Sequence, residues 1–266
     1  MEGFAIVVSS CDKSHDCWEP LFFSFKKYWP DCPFPKFIIT GALDIDEGSS
    51  GFSSLKVGED NGWASNFDKA IQMLGDRFDY LMYLQEDFWL KSDFDTNFLV
   101  EQLSYCRQKN LDYLRLTFPW MDEFKIDETH ALSPISERQY AVCLSASIWK
   151  TASLRKVLIP GWSGWDFESK VQSLDLESFS SEVLLSTVSR VKFPFIGLAC
   201  GAVRRGRWLR EACRFLRKNG FSNLIPSREK EGFIYTIIIF FMSLNKYFHI
   251  IGSRIVSFMH RHNLNF

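Results

Sequence analysis

Two adjacent carboxylates, Glu86 and Asp87, follow the run Tyr80-Leu81-Met82-Tyr83-Leu84-Gln85. Five mostly apolar residues read as a buried strand, and charge at the carboxyl end of such a strand is costly without a partner. In open α/β sheets that end is also where ligands bind. The simplest occupant is a hard divalent cation, Mg²⁺ or Mn²⁺, carrying a phosphorylated substrate. A second acidic pair, Asp166 and Glu168, lies in the turn Pro160–Glu168 beside Trp162 and Trp165. Indole faces offer a sugar a platform, and a neighbouring carboxylate can accept a hydroxyl proton; Asp166 can equally well cap a helix. The loop Ser9-Ser10-Cys11-Asp12 ends another apolar run, and its aspartate can accept hydrogen bonds from ligand N–H and O–H groups or close an Asx-turn. Arg204, Arg205 and Arg207 suit diphosphate oxygens through bidentate donation, or form a basic face for lipid headgroups. His15 and His130 have no partners of triad type and read as structural or surface residues.

The elements that must position these groups follow from periodicity. Phe4–Val8 reads as a strand, a helix capped by Ser14 carries Leu21, Phe22, Phe25 and Tyr28 at helical spacing, and Lys36–Thr40 is a second strand. Residues 41–61 form a polar loop with one short strand near Ser54–Val57. Trp63, Phe67, Ala70, Ile71 and Leu74 predict a helix immediately before the carboxylate strand. Phe98–Cys106 predicts the next helix and Leu111–Leu116 the next strand. Such alternation builds a mostly parallel sheet with helices on both faces. After Pro119 the rhythm changes. Ala141–Trp149 alternates as a half-exposed antiparallel strand, Thr151 caps a short helix, Ser181–Ser189 reads as a helix, and Val191–Ala199 as an edge strand interrupted at Pro194.

Bulk properties narrow the function classes. With 266 residues, 46% hydrophobic and 24% charged, the chain is globular. Its net charge of -1 disfavours nucleic acid as a partner. Seven cysteines without a C-x-x-C pair exclude the common zinc sites and fit free thiols in a reducing cytoplasm. No basic residues precede the first apolar run, so it reads as a strand and not as a signal peptide. Gly-x-x-x-x-Gly-Lys and Gly-x-Gly-x-x-Gly are both missing, which removes support from kinase-like and dehydrogenase readings. The basic stretch Arg204–Lys218 precedes an apolar run, Phe233–Leu244, that is too short to span a bilayer. Together they fit peripheral attachment to an anionic membrane, or a helix covering the protein's own core or a dimer interface.

The order of these pieces resembles glycosyltransferases of the GT-A fold, and within them bacterial sugar transferases of capsule or O-antigen assembly. The residues that carry the likeness are Ser9-Ser10-Cys11-Asp12 with Trp18-Glu19-Pro20, Tyr28-Trp29-Pro30-Asp31-Cys32-Pro33, Trp63 and Asn66, Leu84-Gln85-Glu86-Asp87, Ile148-Trp149-Lys150, Trp165-Asp166-Phe167-Glu168, and Val203–Trp208. The likeness implies a GT-A-like domain over residues 1–210 and a basic, apolar helical appendage over 211–266. It implies a nucleotide-sugar donor held by Ser9, Ser10, Cys11, Asp12, Trp63, Asn66, Glu86, Arg205 and Arg207. Asp87 falls on the last aspartate of the family's Asp-x-Asp metal motif, whereas Gln85 stands at the first, one carboxylate fewer. Glu168, or secondarily Asp166, would act as the base of an inverting transfer, with Trp162 and Trp165 on the acceptor. That acceptor would be a lipid-linked glycan at the inner face of the cell membrane. A sugar nucleotidyltransferase and a catalytically idle, membrane-associated sugar-binding subunit are the rival readings.

Overall fold

The computed structural model describes residues 2–117, 130–132, 142–174, 179–184, 194–196 and 201–232. Ten strands and seven helices are named in chain order. β1 (Phe4–Ser9) is buried along its whole length, because both faces of the sheet are covered. A 3-10 turn over Asp12–Cys17 leads into α1 (Trp18–Tyr28). Ser14 therefore lies inside that turn and caps no helix, which corrects the sequence expectation. Pro20 falls in the first turn of α1, where its missing N–H would have had no helical partner. Then come β2 (Lys36–Thr40), α2 (Glu47–Ser50), β3 (Ser53–Lys56), α3 (Trp63–Leu74), β4 (Tyr80–Gln85) and α4 (Thr96–Lys109). The Asp95 side chain caps α4 by accepting the Phe98 N–H at 3.0 Å, and Asn110 ends it with a φ of 51°.

The remaining strands of the sheet are β5 (Tyr113–Arg115), β6 (His130–Leu132), β7 (Ser147–Lys150) and β8 (Ser181–Leu184), with α5 (Thr151–Val157) and α6 (Gly164–Lys170) between the last two. All eight strands join one sheet in the order β3-β2-β1-β4-β7-β5-β8-β6. β1 to β4, β5 and β8 run one way; only β7 and β6 oppose them. The expected mostly parallel sheet flanked by helices is thus found. Alternate residues mark the two faces. Ala5, Val7, Leu81 and Tyr83 pack in one core with Phe67, Ala70 and Ile71 of α3 and Phe167 of α6. Tyr80, of opposite parity, donates its hydroxyl hydrogen to Cys106 O of α4.

Two expectations in the second half change. Ser181–Leu184 is a strand parallel to β5, not the start of a helix. A short apolar run does not distinguish the two periods. Here the open edge of β5 decides, since Asp112 anchors the incoming chain by accepting the Ser180 N–H at 2.8 Å and hydroxyl at 3.1 Å. The alternating segment before Trp149 is antiparallel as expected, yet it is buried throughout residues 142–149 and pairs as a strand only from Ser147. Its place between β4 and β5, in the middle of the sheet, covers both of its faces. Of the expected edge strand over 191–199 only 194–196 are described, and Phe195 forms a single antiparallel bridge with Leu90.

The chain divides into two compact units, the first ending at Gly201 and the second beginning at Ala202. In the second, β9 (Val203–Arg204) and β10 (Arg207–Trp208) form a hairpin. Its two-residue loop, Arg205 (φ 52°) and Gly206 (φ 76°), has the positive φ pair of a type I′ turn. α7 (Arg210–Lys218) follows, burying Ala212, Cys213, Phe215 and Leu216. The apolar run expected to touch a membrane, from 233 onward, lies outside the described residues. No helix among the described residues is long and apolar enough to cross a membrane.

Candidate functional site

β1 and β4 lie side by side, and their last residues, Ser9 and Gln85, are register partners. β1 connects to β2 on one side, while β3 leads across to β4 on the other. The carboxyl ends of β1 and β4 therefore flank a topological switch point, where open α/β sheets leave a crevice. A cleft of about 820 Å³ occupies it. Of the residues singled out from sequence, Ser9, Ser10, Cys11, Trp63, Asn66, Glu86, Trp165 and Glu168 line this cleft.

Indole donors hold the polar loop after β1. Trp63 Nε1 donates to Ser9 Oγ at 3.1 Å and Trp18 Nε1 to Ser10 Oγ at 2.7 Å. Asn66 is buried and fixes the turn before α3. Its Nδ2 donates to Asp60 Oδ1 at 2.8 Å, and its Oδ1 accepts the Asn61 N–H at 3.1 Å. Trp63 and Asn66 thus orient the wall beside β1 as well as line it.

Asp12 stands just outside, in an adjoining hollow of about 380 Å³ that shares Ser10, Cys11, Asp60 and Asn66 with the main cleft. Its carboxylate accepts the N–H groups of Gly41 (2.8 Å), Ala42 (2.7 Å) and Leu43 (3.2 Å). Burial raises its pKa, but these backbone donors outweigh burial and hold it below the ordinary aspartate value. Asp12 therefore clamps the loop after β2 onto the loop after β1.

The opposite wall comes from residues 143–145 and from α6. Ser163 Oγ accepts the Asp166 N–H at 3.1 Å, and Asp166 Oδ2 accepts the Ser163 N–H at 3.1 Å, a reciprocal capping box. Lys170 reaches Asp166 Oδ1 at 2.6 Å. The Lys170 and Ser163 bonds hold the Asp166 pKa down to about 2, which makes it a weak proton acceptor. Asp166 does not line the cleft; its observed work is to start α6. The cap aims Glu168 inward and leaves Trp165 72% exposed at the rim. Trp162 lies behind them, half-buried against the core, with its carbonyl accepting the Ala64 N–H at 3.1 Å.

Glu168 Oε1 accepts the Leu144 N–H at 2.8 Å, and Oε2 carries no hydrogen bond among the described residues. Burial raises its pKa above the ordinary glutamate value, against the Leu144 N–H and the Arg115 guanidinium, which lower it. A carboxylate with one oxygen anchored and a raised pKa is suited to accepting a proton.

The lip after β4 behaves differently from its sequence reading. Glu86 lines the cleft, but Gln85 directs its side-chain N–H to Leu144 O at 2.9 Å. Asp87 is 7% exposed and does not line the cleft; a methyl group at Gly201 would sit 2.7 Å from its Oδ2. Among the described residues no three His, Cys, Asp or Glu side chains converge in a metal-holding group. Arg205 and Arg207 belong to the second unit. There Arg207 pairs with Glu229 at 3.0 Å, and Arg204 with the buried Glu231 at 3.2 Å.

Sequence reasoning missed Asp60, Arg115 and Cys143–Ser145, all of which line the cleft. Arg115 carried a signal, since it is a charge at the carboxyl end of a short apolar strand, the pattern that marked Glu86. Residues 143–145 carried none, because their apolar alternation reads as ordinary strand.

No protein-family model matches this sequence, and no curated protein matches it. Among solved structures, it is similar to S. aureus TarS residues 1–349 in complex with UDP, at 12% identity and a TM-score of 0.47 over 68% of this chain and 57% of that one. A second S. aureus TarS structure gives 12% identity and a TM-score of 0.43 over 68% of this chain and 35% of that one. Galactosyltransferase LgtC in complex with donor and acceptor sugar analogs gives 11% and 0.46 over 87% of this chain and 99% of that one. The chain thus matches one-third to three-fifths of the length of the TarS structures.

Proposed function

We propose that this protein transfers a sugar from a nucleoside-diphosphate sugar to a hydroxyl of a saccharide acceptor, with inversion. The reading rests on one observation: a switch-point cleft brings the polar end of β1, the Glu86 lip, a burial-raised Glu168 and the exposed Trp165 rim together. Ser9–Cys11, with Trp63 and Asn66 behind them, take the nucleotide end. Trp165 offers the acceptor sugar an apolar face. Glu168 Oε2 accepts the acceptor's hydroxyl proton as that oxygen bonds to the anomeric carbon. The bond from that carbon to the diphosphate breaks, and the nucleoside diphosphate leaves with the electron pair. Arg115, on the same cleft, favours the ionised Glu168 carboxylate and offsets part of the rise that burial imposes on its pKa.

A lipid-linked glycan on the inner membrane surface is the acceptor we favour, as a step of surface-polysaccharide assembly. Support comes from α7, whose Arg210, Arg214, Arg217 and Lys218 are exposed and recur at i, i+4, i+7 and i+8 along one side of the helix. Each basic residue near an anionic surface adds roughly 1 kcal/mol of attraction.

The test is turnover on a panel of UDP-, GDP- and CMP-sugars with saccharide acceptors, reading nucleotide release and the anomeric configuration of the product. Wild type is expected to release a nucleoside diphosphate and invert. Trp165→Ala is expected to raise the acceptor KM about tenfold with the donor KM unchanged, as loss of about 1.4 kcal/mol of uniform binding requires. Release of pyrophosphate, or no release from any donor, rejects the proposal.

A further inference from the structure

Leu144 is held at both of its backbone polar groups by side chains from different elements. Its N–H is donated to Glu168 Oε1 of α6 at 2.8 Å, and its carbonyl accepts from Gln85 Nε2 of β4 at 2.9 Å. The residue before it is fastened as well, for the Tyr113 hydroxyl of β5 donates to Cys143 O at 3.2 Å. Cys143, Leu144 and Ser145 therefore form a ledge along the cleft wall, pinned by β4, β5 and α6. The ledge comes so near α6 that a methyl group at Gly164 would sit 2.8 Å from Leu144 Cδ1. Glutamine at 85 has a chemical reason that a carboxylate at the same place would not satisfy: its amide N–H donates to the Leu144 carbonyl, whereas an ionised carboxylate has no hydrogen to donate.

We infer that Gln85 is a positioning residue for Glu168, acting through Leu144, so that the last residue of β4 sets the aim of the proton acceptor. The inference rests on the function proposed above. Removing the Gln85 donor leaves the Leu144 carbonyl in the cleft wall without its amide partner, and the ledge relaxes toward water or another donor. The Leu144 N–H then leaves Glu168 Oε1. That N–H is one of the two influences lowering the Glu168 pKa, so its loss moves the pKa further up. The other titratable or charged groups on this cleft are Arg115, Glu86, Asp60, Tyr83, Cys11 and Cys143, and the inference leaves all of them in place.

Gln85→Leu removes the donor without adding charge. In this variant the Glu168 midpoint, read by carboxyl ¹³C NMR, is expected to shift upward. The acid limb of kcat/KM should move up with it, and kcat/KM should fall about tenfold below that limb, a part of the 10²–10⁴ that a positioned base supplies. Donor KM should hold. An unchanged midpoint in folded Gln85→Leu overturns the inference, as does a loss of activity uniform in pH that follows only a lowered Tm. Should this variant fail to fold, the wild type still decides. Its Leu144 amide resonance is expected to titrate with the Glu168 midpoint and to stop doing so in Glu168→Gln; an amide indifferent to pH sinks the idea. The NMR readouts need no turnover. A midpoint that moves while Glu168→Gln transfers sugar normally rejects the base assignment and leaves the ledge standing.

Discussion

Glu168 combines two opposed demands in one side chain. Its pKa is raised by burial, so the stability linked to it is fully present below the unfolded-state value. That stability is lost as pH rises through the folded-state value. Proton acceptance runs the other way, since the carboxylate must be ionised and is so only above that same pKa. Activity is therefore gained over the window in which stability is given up. Glu168→Gln separates the two. The amide oxygen still accepts the Leu144 N–H, while the cost of a buried charge disappears. The variant is expected to lose between about 10² and 10⁴ in kcat while its Tm at pH 7–8 equals or exceeds that of wild type. The Tm difference should shrink as pH approaches 4. Calorimetric scans across pH, set beside turnover, check this. A variant that is inactive and also less stable at neutral pH would make Glu168 a structural residue. Asp166 provides the contrast two residues away. Bonds from Lys170 and Ser163 hold its pKa at about 2, so its stabilising effect is lost only as pH falls from the ordinary carboxylate range toward 2.

At the scale of elements, α6 decides whether Glu168 and Trp165 reach the cleft at all. The helix is seven residues long, and so short a helix is marginal on its own. The capping box at Ser163 therefore matters more than it would in a long helix. Ser163→Ala is expected to cost about 1 kcal/mol of stability, measured by denaturant unfolding, and to lower turnover more than that cost alone would, because the frayed turn carries Trp165. This arrangement was partly legible in the sequence. The Pro160–Glu168 stretch read as a turn before a helix with Asp166 open to capping or to base work; the structure puts the cap at Ser163, with Asp166 three residues on as its capping-box partner. The β1–β4 half was legible because apolar runs ending in polar loops carry periodicity and charge together. The ledge was not. Residues 142–146 are buried by strands that arrive from elsewhere in the chain, so their own alternation describes a strand that exists only from Ser147 onward. β8 was misread for the same reason, since its pairing is fixed by Asp112, about seventy residues earlier. The lip was half legible. Its charge was visible, but that Gln85 turns to Leu144 and Asp87 lies against the Gly201 backbone depends on contacts no local pattern encodes.

At the scale of the whole molecule, net charge and local charge point in different directions. The chain carries a net charge of -1, which gives it no overall attraction to an anionic surface. Any such attraction has to come from a concentrated face, and the side of α7 bearing Arg210, Arg214, Arg217 and Lys218 supplies one. The opposite side buries Ala212, Cys213, Phe215 and Leu216 inside its own unit, so the basic side can be altered without disturbing that packing. Replacing Arg214, Arg217 and Lys218 together by glutamate removes three attractions of roughly 1 kcal/mol and adds comparable repulsions. Binding to vesicles containing phosphatidylglycerol, followed by co-sedimentation, is expected to fall by at least about a hundredfold. Wild-type binding should weaken steeply between 50 mM and 500 mM salt, as the screening length shortens. Turnover on a water-soluble acceptor should be unchanged, because the substitutions leave the first unit intact. Vesicle binding that is indifferent to both salt and the triple substitution would show that α7 is not the contact, and would direct attention to the apolar run beyond residue 232. If turnover on the soluble acceptor fell together with vesicle binding, the basic side would be serving substrate and not membrane.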